Sequence, residues 1–273
     1  MQRILQQESN YSLEEITQAC IYLAEAEIQE EKLQHIQLRL IGGNRTIKGA
    51  RTYLDTLSYN LLMKFHNNEQ FKSFYAENKE SILDVFSRIN DHRSVMAILC
   101  TSFDKSHPQF KDKVESYFER TNLEGMDTVT AFLAYWITKT DPTFSEETVK
   151  RFEKLSNQQS QWPRALRTGD QTNLIISEAI QTHSGDKVEQ EVEVDGFMVP
   201  MYLRESNTVI LPYARMLTMF DQQTTNYKYD GLMRILNNLP SKPRVVPINF
   251  YEFAKKNSQD QASFCLEHGL GKA

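Results

Sequence analysis

Glycine is scarce in this chain. There are ten in 273 residues, below the roughly 7% of average usage, and few glycines mean few tight turns and few phosphate-cradling loops. The glycine-dependent motifs are missing: the sequence has no Walker loop, no G-x-G-x-x-G and no G-x-S-x-G. Gly42-Gly43-Asn44-Arg45 follows a helical stretch, where a C-cap accounts for both glycines without a phosphate. Cysteine is scarcer still. Cys20, Cys100 and Cys265 are far apart, odd in number and without C-x-x-C spacing, which argues against a disulfide framework and predicts free thiols in a reducing compartment. The histidines (His35, His66, His92, His107, His183, His268) are scattered, with no H-x-x-x-H, so no metal site is expected. No apolar run approaches the ~20 residues of a membrane span, and the start, MQRILQQESNYSLEE, has no apolar signal region. Cys100 lies in the apolar run from Val95 to Leu99 and reads as a buried thiol. These absences predict a soluble, cytoplasmic protein that is not an enzyme, with no cofactor, no membrane partner and no small-molecule substrate.

What is present is a folded chain with helical patterning. Hydrophobic content of 40% and charged content of 25% are those of a globular protein, and the net charge is −5. Ser12-Leu13-Glu14-Glu15 is a capping box that opens a helix over residues 12–38, with Ile16, Cys20, Leu23, Ala24 and Ile28 at helical spacing. Further helices are predicted over 46–66, 69–76, 80–89, 92–103, 109–119, 126–138 and 145–155, with a polar connection from 156 to 172. Phe132, Tyr135 and Trp136 read as core.

The period changes at Val188. Val188, Gln190, Val192 and Val194 alternate with Glu189, Glu191, Glu193 and Asp195, and Asp195-Gly196 is a hairpin turn leading into a return strand to Leu203. Helices are expected again at 210–221 and 228–238, and Val245–Phe253 fits either a short strand or a helix. The expected fold is mainly α: a helical bundle with one small β-hairpin (188–203), in two helical lobes, 1–125 and 126–273.

The last third reverses the charge of its surroundings. Between Met201 and Lys256, eight Lys/Arg (Arg204, Arg215, Lys228, Arg234, Lys242, Arg244, Lys255, Lys256) face only four Asp/Glu (Glu205, Asp221, Asp230, Glu252). A confined cationic surface on an acidic protein suggests a polyanion, with a solvated helix face as the plain alternative.

Read in order, residues 174–253 resemble the core of coat proteins from flexuous filamentous plant viruses, the potyvirus type in particular. The elements are Leu174–Ile180 with Thr182-His183-Ser184-Gly185, then Val192-Glu193-Val194-Asp195-Gly196, then Pro212-Tyr213-Ala214-Arg215. Gly231-Leu232-Met233-Arg234 and Pro247-Ile248-Asn249-Phe250-Tyr251-Glu252 follow. The resemblance implies a helix over the Pro-x-x-Arg segment and a viral coat or nucleocapsid protein that binds single-stranded RNA through its backbone, without sequence specificity. It also implies head-to-tail self-association into a filament or ring, with a location in host cytoplasm or virion. The family's Ser, Arg and Asp at the RNA backbone fall on Ser184, Arg215 and Asn249. Lys228, Arg234 and Arg244 would add phosphate contacts, and Tyr251, with Tyr213 and Tyr227, could stack on bases. Two departures stand out: Asn249 replaces the family's Asp, and residues 1–120 read as helical where the family carries a flexible arm. Val245–Phe253, preceded by an amphipathic helix, also resembles the end of RAP domains, found in organellar RNA-processing proteins, without the acidic catalytic-type pattern of that fold. The alternative to nucleic-acid binding is a helical adaptor or effector-like interaction module.

Overall fold

A computed structural model describes residues 11–42, 50–88, 91–121, 123, 126–156, 163, 166, 169–185, 187–219, 221–268 and 270. The chain is mainly helical, with one small sheet. Helix α1 (Leu13–Glu25) opens on the expected capping box: the Ser12 hydroxyl accepts the Glu15 amide at 3.2 Å, and the Ser12 amide donates to Glu15 Oε2 at 2.7 Å. The predicted helix over 12–38 is in fact two, because Glu27 adopts a left-handed backbone (φ 57°). The Glu27 and Ile28 amides close back on the carbonyls of Ala24 and Leu23, a Schellman ending made without glycine. The chain then resumes in α2 (Glu31–Gly42), followed by α3 (Ala50–Leu62). Residues 69–88, expected as two helices, form one, α4 (Glu69–Arg88). The 92–103 stretch breaks at Ser102 (φ 58°) into α5 (His92–Cys100) and α6 (Phe103–Ser106). Helices α7 (Gln109–Arg120), α8 (Thr128–Thr140) and α9 (Glu146–Ser156) follow, and α8 buries Phe132, Tyr135 and Trp136 as read from the sequence.

The C-terminal part is built as α10 (Asp170–Ser184), β1 (Glu189–Val194), β2 (Phe197–Leu203) and β3 (Thr208–Tyr213). A 3-10 turn (Arg215–Leu217), α11 (Tyr227–Asn237), β4 (Arg244–Asn249), α12 (Phe250–Ala254) and α13 (Ser258–Glu267) complete it. The hairpin forms around Asp195 (φ 51°) and Gly196 (φ 81°), the two positive φ values that a type I′ turn demands. It belongs to a larger element than expected. The strands run β1-β2-β3-β4, antiparallel through β3, with β4 parallel to β3. The helix expected at 210–221 is instead β3 and the turn after it. Val209, Ile210 and Leu211 are all fully buried, and a strand covered on both faces is a continuous apolar run that periodicity alone cannot separate from a helix. The ambiguous 245–253 segment is both elements: strand to Asn249, helix from Phe250.

Two cores result. The larger joins residues from Leu13 to Leu239, on both sides of position 125, and takes in Phe197, Val199, Val209 and Leu211 from the sheet. The smaller lies on the opposite face, where Met201, Leu203, Ile210, Val246 and Ile248 meet Ile176 and Ile180 of α10, Phe253 of α12 and Cys265 of α13. Phe197/Val199 and Met201/Leu203 share one sequence parity yet reach different cores. Between them Glu191 (φ 49°) and Pro200 face each other as a rung left out of the ladder, with the register the same on either side. Helix α11 sits against α5 and α8 through Gly231, where an added Cβ would stand 2.8 Å from Cys100 Sγ.

Candidate nucleic-acid interface

The eight cations of the basic stretch have separate fates. Arg234 is the clearest correction to the expected groove. Its side chain is 2% exposed and points inward from α11. Nη1 donates to the Leu99 carbonyl and Asp104 Oδ1, both at 2.6 Å, while Nη2 donates to Asp104 Oδ2 and Asp141 Oδ2, both at 2.8 Å. The fork is held by two carboxylates and a helix-end carbonyl, and the Nε–H left over is buried, out of reach of a phosphate in solvent. Burial alone would raise the Asp141 carboxyl, but Arg234 and the Thr143 hydroxyl and amide outweigh it and hold that group at about 2. Lys228 is committed to Glu27 at 2.8 Å, and Arg204 to Glu189 at 2.8 Å. Lys256 rests over the Phe264 ring, and Arg244 donates to the His268 carbonyl.

Arg215, Lys242 and Lys255 are exposed, and no hydrogen bond or ion pair engages their side chains among the described residues. Arg215 is the one placed at a structured corner. Tyr213 pairs with Asn249 on the last rung of the parallel ladder, and Arg215 lies two residues past that rung. Asn249 does not reach towards solvent as the resemblance implies. Its Oδ1 caps α12, accepting the Tyr251 and Glu252 amides at 3.0 and 3.3 Å, and its Nδ2 donates to the Gln222 carbonyl at 3.2 Å. Tyr251 is partly exposed beside this cap. Burial and the nearby Glu252 carboxylate push the Tyr213 phenol up, against a hydrogen bond with Asn249 that lowers it, and its ring meets Tyr229 edge-on at 5.1 Å. Ligands of parallel α/β units bind at the carboxyl ends of the strands, which is where this corner lies.

The other expected contacts lie elsewhere. Arg244 begins β4 opposite Thr208, about 16 Å of extended strand from Asn249. Ser184 ends α10, capped by Gly185 (φ 71°), shortly before Glu189, whose rung runs through Tyr202 and Val209 to Val245. Connectivity therefore ties Ser184 to the Arg244 edge rather than to the Arg215 corner. The single groove expected over 184–256 resolves into two sheet edges and one buried cluster.

A feature that sequence reading missed adjoins the corner. The Asn226 amide donates to the Leu217 carbonyl at 3.0 Å, so α11 starts beside the Arg215 turn. There a cavity of about 300 Å³ forms where α1 ends and α5, α8 and α11 begin, lined by Glu25, Glu27, Arg93, Asp127, Tyr227 and Lys228 among others. Its residues come from five distant segments, Leu62 at the end of α3 being one of them, and no local spacing connects them. Among the described residues, no group of three His, Cys, Asp or Glu could hold a metal, and no helix is long and apolar enough to cross a membrane. Compared with known proteins, the chain matches no family model and no curated protein.

Proposed function

We propose that this protein binds single-stranded RNA through its sugar-phosphate backbone, using the corner at the carboxyl ends of β3 and β4 as the first contact. The observation that carries this reading is Arg215: an exposed guanidinium with no carboxylate partner among the described residues, set between a tyrosine pair and an Asn-capped helix on a protein of net charge −5. A planar fork at such a place suits a phosphate and carries no base information. Tyr251, in the first turn of the helix that Asn249 caps, offers a ring for stacking.

Val245–Phe253, the segment that resembles the end of RAP domains, is a strand to Asn249 and a helix from Phe250, with the amphipathic α11 before it. The Pro212–Arg215 segment, which the coat-protein resemblance implies as a helix, closes a strand instead. Self-assembly into a filament therefore stays outside the proposal.

The test is fluorescence anisotropy with labelled single-stranded RNAs of unrelated sequence across a salt series. Binding should weaken with salt for all of them alike. Arg215→Ala should weaken each equally and flatten the log–log slope by about 0.7 for the lost phosphate contact. Salt-independent binding, or none, overturns the proposal.

A further inference from the structure

We infer that the cavity at the start of α11 receives one splayed-out base of the bound strand, and that it accepts a base bearing an exocyclic amino group in preference to uracil. This rests on the RNA-binding reading above and deepens it. Leu217 belongs to the Arg215 turn and holds the Asn226 amide, so a strand gripped at Arg215 runs close to the cavity. A volume of about 300 Å³ lies at the lower end of small-ligand sites, the scale of one base rather than of a longer segment.

The polar lining is rich in acceptors. Asp127 Oδ1 caps α8 through the Val129 and Thr130 amides at 3.1 and 3.0 Å, while its Oδ2 has no hydrogen bond among the described residues. Glu25 uses Oε1 for Arg93, and Glu27 uses Oε1 for Lys228 at 2.8 Å and the Asn226 amide group at 3.0 Å. The second oxygen of each glutamate is likewise without a hydrogen bond among the described residues. The cations beside these carboxylates are thus already engaged, and they temper the negative charge that would otherwise repel a phosphate-bearing strand. Tyr227 supplies an aromatic wall suited to a base plane.

Adenine, cytosine and guanine each present amino N–H groups that a carboxylate can accept. Uracil presents two carbonyl oxygens and a single N–H, so its edge meets acceptors with acceptors. Recognition of cytosine N4 by Asp or Glu follows the same pairing, and facing acceptors exclude the wrong base as effectively as contacts select the right one.

The experiment compares oligo(A), oligo(C) and oligo(U) of equal length on the full chain. Oligo(A) and oligo(C) should bind about 10-fold tighter than oligo(U), the effect of one hydrogen bond to a charged group. Asp127→Asn keeps a good N-cap but introduces a donor, so it should cut the preference to about twofold or less with an unchanged melting temperature and salt slope. Arg215→Ala should do the reverse, lowering the slope and leaving the preference. Equal binding of all three oligomers, or a preference that survives Asp127→Asn, overturns the inference while leaving the RNA-binding reading in place. Failure of every oligomer to bind overturns both.

Discussion

On the inner side of α11, Arg234 is 4% exposed and gripped by Asp104 and Asp141; at the corner beyond β3, Arg215 stands exposed without such partners among the described residues. Both arginines come from the same basic stretch, and in the sequence both looked like phosphate ligands. The difference lies in what faces them. Asp104 and Asp141 arrive from α6 and from the end of α8, far earlier in the chain, and they convert one cation into an internal fastener. A count of basic residues measures charge, whereas exposure decides whether that charge meets a ligand.

The sharpest way to break this comparison is Arg234→Ala. Removing the cation leaves the buried Asp104 without an ion-pair partner among the described residues and Asp141 with Lys105 at 3.5 Å, and a loss of about 3–5 kcal/mol is expected in denaturant unfolding. Arg215→Ala should change stability by less than about 0.5 kcal/mol, so the two alanine variants should separate cleanly. Next in size is the small core: Phe253→Ala removes a fully buried ring between α12 and the sheet and should cost about 3–5 kcal/mol, with the loss concentrated in protection of the α10 and α13 amides from hydrogen exchange.

Acid gives the next test. Asp141 is held at about 2 against an ordinary value of 3.8, so its folded carboxyl titrates below its unfolded one. The stability it contributes is present above about pH 4 and lost as pH falls towards 2, roughly 2 kcal/mol in all. Asp141→Asn should remove that part of the acid dependence. A smaller loss belongs to Asn249→Ala, which deletes the α12 cap and should cost about 1 kcal/mol in a thermal melt.

Much of the helical plan was legible. The Ser12 capping box, the buried aromatics of α8 and the Asp195-Gly196 turn all depend on local chemistry, and each lies where the sequence put it. What escaped reading has physical causes. Glu27 ends α1 in a left-handed conformation usually left to glycine, so no composition signal marked the break. Strand β3 is apolar on both faces and carries no alternation. Asn249 presented itself as a ligand because its role as a cap depends on the strand-to-helix switch at Phe250, which the sequence left ambiguous. At the candidate site, charge and motif pointed to Arg215 and Arg234 alike. Arg234 could not be told apart from Arg215, since its partners are distant in sequence, and the cavity at Tyr227 is assembled from five segments that share no pattern.

The contact between Gly231 and Cys100 has a consequence for how the protein can vary. With only 2.8 Å between a hypothetical Cβ and the sulfur, any side chain at position 231 must displace the Cys100 thiol or push α11 off α5, and a shift of the helix would draw Arg234 away from the Leu99 carbonyl that it holds on α5. Positions 100 and 231 thus behave as lock and key: Gly231→Ala alone should jam, and pairing it with Cys100→Ala should restore the fit.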